Sequence, residues 1–230
     1  MTLTGLMAER YSAGPQKSSP ASATVTPNLR LMSKVKGCRK RAFGKLAMCA
    51  VVEYEELSGL GDLPLQDARV VQAMDYWRSL RRKPGLPPFR DVDPAAIVRL
   101  LPHIWFWTFD SAESEYFGRL AGENILDLFG PHTMRGQPLS EFGTPELAGL
   151  MRERFDRVVS EPAVLHFRGR TVLDNGLRVE TERLVLPMVD DGQDKPVVMG
   201  LSVYSWPNGV RAQSGYAGEE GVNRWSPVDS

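Results

Sequence analysis

The stretch from Asp75 to Gly122 constrains the fold most, because it combines dense aromatic content with strong helix and turn signals. It reads DYWRSLRRKPGLPPFRDVDPAAIVRLLPHIWFWTFDSAESEYFGRLAG. The pattern predicts the end of a helix, a proline-rich turn, a short second helix over 94–101, and then two strands. The strands Ile104–Asp110 and Tyr116–Ala121 are separated by a polar turn, so we expect them to form a hairpin.

A helix is predicted immediately before this turn, over residues 66–83. Its apolar positions recur at the spacing of one helix face, and Pro84-Gly85 ends it. An apolar face of this size is rarely left in solvent, so we expect the helix either to pack within the chain or to form part of a homodimer interface. The dimer-helix candidates are Val70, Met74, Trp77 and Leu80.

The second half of the sequence predicts a helical segment followed by three strands. Residues 123–129 have one or two helical turns, and an amphipathic helix follows from Pro145 to Ser160 with Thr144 as its cap. The predicted strands are Ala163–Leu173, Leu177–Met188 and Val197–Trp206. Asn175-Gly176 between the first two is a strong hairpin signal.

This order of elements predicts the α+β class. Two antiparallel units flank a helical segment, which gives a five-stranded antiparallel sheet with helices on one face, plus the N-terminal amphipathic helix. We expect the domain to cover 66–206.

Charge is distributed unevenly along the chain. Residues 1–48 hold nine basic residues and one acidic residue, although the whole chain has 28 of each. We predict a disordered basic tail over 1–48 and a loose C-terminal tail over 207–230. The basic cluster 34–47 has two interpretations. It is a tether to nucleic acid or lipid, or it is a solvated tail or a segment upstream of the natural start, for which Met48 is an alternative. The solvated tail is favoured, and a nucleic-acid partner is not expected.

Cysteine content and hydropathy exclude several classes of protein. Cys38 and Cys49 are the two cysteines, which rules out a disulfide framework or a thiolate metal cluster in the body. The sequence has no apolar run of membrane-spanning length and no signal peptide. A cytoplasmic protein is therefore expected.

Several short motifs occur in the order found in PAS domains. They are the run from Tyr76 to Pro94 with its Gly-Leu-Pro turn, Leu-Leu-Pro-His-Ile over 100–104, and Tyr-Phe-Gly-Arg-Leu-Ala-Gly over 116–122. Gly136 to Phe142 adds a segment before the long helix. The chain resembles a family of small bacterial proteins built around one PAS-like domain, over about 66–206.

This resemblance implies a sensory or protein-interaction module in bacterial signal transduction. PAS folds hold small molecules between the helices and the sheet, or dimerise through the N-terminal helix. The resemblance further implies that this domain, without an output domain of its own, signals through a partner protein.

An apolar ligand pocket is predicted on the inner face of the sheet. The pocket candidates are Phe106, Arg119, Leu165, Phe167 and Met199. Strand alternation alone does not decide which set faces inward, and a packed core without a ligand is an equal alternative. Arg119 is expected to pair with a neighbouring acid rather than with a ligand.

No cofactor is predicted. A Cys-linked flavin is disfavoured because the body from Leu65 onward has no cysteine. Haem is disfavoured because haem-binding PAS domains commonly place the axial histidine on the helix that corresponds to 145–160. The three histidines of this chain, His103, His132 and His166, all lie outside that helix. An unidentified small ligand is compatible with the sequence.

Enzyme and metal motifs are weak, and we predict that the protein is not an enzyme. Glu180 and Glu182 share a strand face, but we expect them to pair across strands with Arg168 and Arg170 in solvent. The acidic turn 190–196 lacks the spacing of a calcium loop. Two alternatives remain: an α+β enzyme with an unrecognised site, and a binder of anionic surfaces through the basic tail.

Overall fold

Seven strands form one sheet in the computed structural model, which describes residues 52–81, 85–129, 133–190, 195–207 and 215–228. The strands are β1 Val52–Glu56, β2 Ile104–Asp110, β3 Glu115–Ala121, β4 Ala163–Leu173, β5 Arg178–Asp190, β6 Lys195–Ser205 and β7 Tyr216–Pro227. Their order across the sheet is β1-β7-β4-β5-β6-β2-β3. β1 runs parallel to β7, and the other neighbouring strands are antiparallel.

Three α-helices occur in the described part of the chain: α1 Ala68–Leu80, α2 Glu123–Phe129 and α3 Pro145–Ser160. The side chain of Asp67 caps α1 by accepting a hydrogen bond from the backbone N–H of Arg69. Thr144 caps α3 in the same way through the N–H of Leu147, with Pro145 at the first helical position. The bounds predicted for α2 and α3 are confirmed.

The sheet separates two apolar cores. Alternate residues of β2 divide between them, since Trp105 and Trp107 pack with α2 and α3 while Ile104 and Phe106 pack with α1. We call the face of the sheet that packs against α2 and α3 the cavity side, and the face that packs against α1 the α1 side. Helices α2 and α3 thus share one face, and the N-terminal helix covers the other.

Two strands were missing from the predicted sheet, so the five-strand prediction is wrong. β7 occupies residues predicted to be a loose tail, and β1 precedes the predicted domain. The sequence of β7, YAGEEGVNRWSP, lacks apolar alternation because several of its inward positions are polar. The predicted tail 1–48 lies outside the described residues.

The predicted short helix over 94–101 is also wrong. Residues 94–100 form tight turns, followed by a 3₁₀ turn over Leu101–His103. Most of their backbone hydrogen bonds join residues three apart, such as Leu100 N–H to Ile97 O at 2.8 Å. Pro102 disfavours a continuing helix because it lacks an N–H and restricts Leu101.

The proposed dimer face of α1 lies inside the chain's own core. Val70, Met74 and Trp77 are fully buried against the sheet, and Leu80 packs beside them. The indole N–H of Trp77 donates to the carbonyl of Pro187 at 3.0 Å. The argument that this face needs a second copy to cover it is therefore wrong.

Within the described ranges, no helix combines the length and the apolar character needed to cross a membrane.

Candidate functional site

A narrow cavity lies on the cavity side, between the sheet and helices α2 and α3. Its volume is about 30 Å³, which is enough for one or two water molecules. Aromatic and aliphatic side chains form most of its wall: Trp105, Trp107, Phe129, Phe142, Met151 and Phe155. Four polar side chains complete the lining: Arg154, Arg183, Ser202 and Tyr204.

Two of these polar residues form a buried ion-pair cluster with Glu219 of β7. Arg154 Nη2 lies 2.6 Å from Glu219 Oε2, and Arg183 Nη1 lies 2.5 Å from Glu219 Oε1. Arg154 is 4% exposed, Arg183 is 7% exposed, and Glu219 is fully buried. The cluster therefore ties α3, β5 and β7 together beside the cavity.

The two guanidinium groups keep Glu219 ionised despite its burial. Burial by itself raises the pKa of Glu219, but the charges of Arg154 and Arg183 and their hydrogen bonds outweigh it and lower the pKa to about 2. Burial also works against the charge of Arg183, and Glu219 outweighs that effect and raises the pKa of Arg183. Glu219 and Arg183 are therefore both charged near neutral pH.

The polar end of the cavity continues onto β6. Ser202 Oγ accepts one hydrogen bond from Trp105 Nε1 at 3.1 Å and another from Arg183 Nε at 3.0 Å. Two buried N–H groups of the lining have no partner among the described residues, namely Arg154 Nε and Trp107 Nε1. Unpaired buried donors are uncommon, so each of these two has the capacity to donate a hydrogen bond to a water molecule or a ligand.

The predicted pocket residues do not line this cavity. Phe106 and Met199 lie on the α1 side. Leu165 packs in the core of the cavity side, and Phe167 lies beneath the guanidinium groups of Arg154 and Arg183 at 5.5 and 5.6 Å. Arg119 pairs with Asp190 at 2.9 Å, which confirms the expectation that it pairs with a neighbouring acid rather than with a ligand.

The sequence did contain a signal for the arginines. Arg154 falls within the apolar stripe of α3, between Met151 and Phe155 and facing the same way as Leu147 and Val158. Arg183 interrupts the apolar positions of β5, one of the most buried strands. A charged residue on an inward face is rarely placed there without a partner, and that partner lay in the strand that was missed.

A second polar cluster lies on the α1 side. His166 Nε2 and Glu182 Oε1 are 2.9 Å apart, and Glu182 also accepts from the backbone N–H groups of Gln66 and Asp67 at 2.9 and 2.8 Å. Burial raises the pKa of Glu182, but the hydrogen bonds from His166 and the two amides outweigh it and lower the pKa. Glu182 thus attaches the start of α1 to the sheet.

Of the other predicted polar contacts, one is confirmed and one is wrong. Arg170 pairs with Glu180 at 2.8 Å, which confirms that cross-strand pair. The expectation that Glu182 faces solvent is wrong, because its carboxylate is enclosed by the cluster just described.

His103 contacts Arg69 and Asn124, and His132 and 191–194 lie outside the described residues. The described residues contain no group of His, Cys, Asp and Glu side chains arranged to hold a metal ion.

Comparison with known proteins assigns the family. Residues 66–203 match a PAS domain family, which is more than half of the chain, and the chain belongs to that family. PAS domains are in general sensory rather than catalytic, so the class of protein is a sensory or signalling module. No curated protein matches the sequence.

Among solved structures, a ligand and DNA complex of Vibrio cholera VqmA is weakly similar. The identity is 12%, the TM-score is 0.37, and the match covers 48% of this chain and 49% of VqmA. The similarity therefore spans about half of each protein.

Proposed function

We propose that this PAS domain senses a small, largely apolar molecule bound in the cavity between the sheet and helices α2 and α3. The observation that carries this proposal is the lining itself. An apolar, aromatic wall meets a few converging polar groups, which is the usual composition of a small-molecule site. Burying a polar group without a partner costs free energy, and two buried donors of this wall have no partner among the described residues.

Helix α3 supplies a route from the cavity to the surface. Met151, Arg154 and Phe155 line the cavity, while Arg152 and Arg157 on the same helix pair with Glu115 of β3 and Glu56 of β1. A ligand that displaces Met151 or Arg154 would shift α3 against both edges of the sheet. We propose that a partner protein recognises this shift in the cytoplasm.

Sensing by this cavity needs no dimer through the Trp77 face, which is buried within the chain. It also does not require catalysis. The His166–Glu182 pair is enclosed, and both carboxylate oxygens of Glu182 accept hydrogen bonds within the fold. The basic cluster 34–47 lies outside the described residues, so a tether role for it stays a prediction.

Copurification tests the proposal. The full chain is expressed in its own host, purified without denaturation, and measured by native mass spectrometry and absorbance. We expect an added mass on the wild-type protein. The matched variant is Met151→Trp, which fills the cavity and should remove that mass.

The control variant is Val98→Trp, at an exposed position next to Ile97, which packs on the α1 side. It should retain the mass. An added mass that persists in Met151→Trp would place the ligand elsewhere, and a wild-type protein with no bound molecule from host cells would argue against a ligand-sensing role.

A further inference from the structure

The charges beside the cavity do not balance. Arg154 and Arg183 carry one positive charge each, and within the described part of the chain Glu219 supplies the one negative charge that touches them. Among the described lining residues, no other side chain is ionisable to a negative charge near neutral pH. The buried cluster therefore carries an excess charge of plus one, which a bound monoanion would neutralise.

We infer that the cavity binds a small monocarboxylate with an aromatic or otherwise apolar body, whose carboxylate pairs with Arg154. This inference rests on the proposed function, because it specifies the ligand of the same cavity. A cation is disfavoured by the same excess charge. A neutral ligand would leave the excess in place.

Arg154 has the donors that this pairing needs. Its Nη2 group donates to Glu219, and its buried Nε–H has no partner within the described residues. The indole N–H of Trp107 is also buried and unpaired, and both residues line the cavity. A carboxylate has two oxygens that accept several hydrogen bonds, so one such group can satisfy both donors. Arg183 is less available, because Glu219, Ser202 and Tyr204 already accept from it.

The rest of the wall selects the body of the ligand. Trp105, Phe129, Phe142 and Phe155 offer ring faces and edges, which favour a flat aromatic group. The cavity of about 30 Å³ is smaller than a typical ligand site, so binding requires side chains to move. Met134 and Met151 are suited to this, since unbranched methionine side chains repack readily. A single-ring acid is the size that such a change can admit.

Matched acids and amides test the inference on the full-length protein. The probes are benzoate against benzamide, and indole-3-acetate against indole-3-acetamide, measured by calorimetry and tryptophan fluorescence. Each pair keeps the ring and removes the charge. Charge-assisted hydrogen bonds predict that one or both acids bind about 10- to 100-fold more tightly than the matched amide.

Arg154→Met should abolish that preference while leaving Glu219 paired with Arg183. Trp107→Phe keeps an aromatic ring and should weaken acid binding by a smaller factor. Arg152→Met is the control, because Arg152 lies on the same helix but outside the cavity. Its acid preference should match that of the wild type. Circular dichroism and urea unfolding verify that each variant is folded, and the wild-type comparison stands even if Arg154→Met does not fold.

The outcomes separate the two proposals. Acids and amides that bind equally well to the wild type would overturn the carboxylate inference and leave the sensing cavity intact. Retained acid preference in a folded Arg154→Met would overturn the role of Arg154. If neither acid binds while host protein carries a different molecule, the monocarboxylate class is wrong; if host protein also carries none, the sensing function fails with it.

Discussion

The Nη2 atom of Arg154 in α3 lies 2.6 Å from the Oε2 atom of Glu219 in β7, and both side chains are almost completely buried. Ion pairs at this depth lose their hydration, so each partner depends strongly on the other. The pair joins the helix that borders the cavity to a strand near the far edge of the sheet. Stability and ligand preference should therefore both respond to changes at these positions.

The first prediction concerns the neutralisation of Glu219. Glu219→Gln leaves Arg154 and Arg183 buried side by side without a counter-charge. We expect the free energy of unfolding to fall by about 3–5 kcal/mol, measured by urea denaturation. Glu220→Gln is the matched control, since Glu220 forms a partly exposed pair with Arg178, and it should change stability by less than about 1 kcal/mol. Equal effects of the two variants would contradict a structural role for the cluster.

The pH dependence of stability follows from the same group. The folded pKa of Glu219 is about 2, below the ordinary value of 4.5. Because the pKa is lower in the folded state, the unfolded chain takes up the proton first as the pH falls. The stabilisation of the fold by ionised Glu219 is therefore complete above about pH 4.5 and is lost as the pH falls toward 2. The loss should reach roughly 3 kcal/mol across this window. Urea unfolding from pH 6 to pH 2 measures it, and Glu219→Gln should show a flatter profile over the same range.

Glu182 should hold the start of α1 against the sheet. Glu182→Gln replaces a charged acceptor of three hydrogen bonds, from Gln66, Asp67 and His166, by a single amide oxygen. We expect a loss of about 1–3 kcal/mol and faster hydrogen exchange in the first turn of α1. Glu180→Gln, on an exposed pair with Arg170, should stay within about 0.5 kcal/mol. Unchanged exchange in Glu182→Gln would show that α1 is fixed by its apolar face alone.

Substitution by alanine at two glycine positions should change the stability of the fold in opposite directions. A Cβ at Gly200 would lie 2.0 Å from the ring of Trp105, which packs across β6 and borders the cavity. Gly200→Ala should therefore destabilise the fold by about 1–3 kcal/mol and change tryptophan fluorescence. Gly149, exposed in α3, has open space around it, and Gly149→Ala should stabilise the helix by about 0.5–1 kcal/mol. Thermal unfolding of both variants measures the contrast, and a neutral Gly200→Ala would mean that the Trp105 ring shifts without penalty.

Elements with regular apolar spacing and local caps were predictable from sequence. The bounds of α3 and β4 were predicted from periodicity, a Thr-Pro start and an Asn-Gly turn, which are all local signals. β7 has no such signal. Its inward positions include Glu219 and Asn223, and its place depends on pairing with β4 and β1. Burial of Glu219 is favourable only because arginines from two distant elements meet it, and no local pattern contains that information.

The candidate site was less predictable than the fold for a related reason. The apolar stripe of β2 does not show which face adjoins a cavity, and Phe106 was assigned to the wrong side. The face is decided by which helices cover it, and α1 and α3 both present apolar stripes. Arg154 and Arg183 stood out only as charges in apolar patterns, and their pairing partner lay in the unpredicted strand.

The oligomeric state should not depend on Trp77. Its ring is fully buried under the sheet, and its N–H donates to Pro187 O at 3.0 Å. Trp77→Phe removes that hydrogen bond and part of the ring, so we expect a loss of about 1–3 kcal/mol in stability. Sedimentation velocity should give the same assembly state for the wild type and for Trp77→Phe, because this face is buried within the chain's own core. Val71→Glu, on the outer surface of α1, is the contrasting variant. If Trp77→Phe dissociates an oligomer that Val71→Glu leaves intact, the buried face takes part in assembly after all.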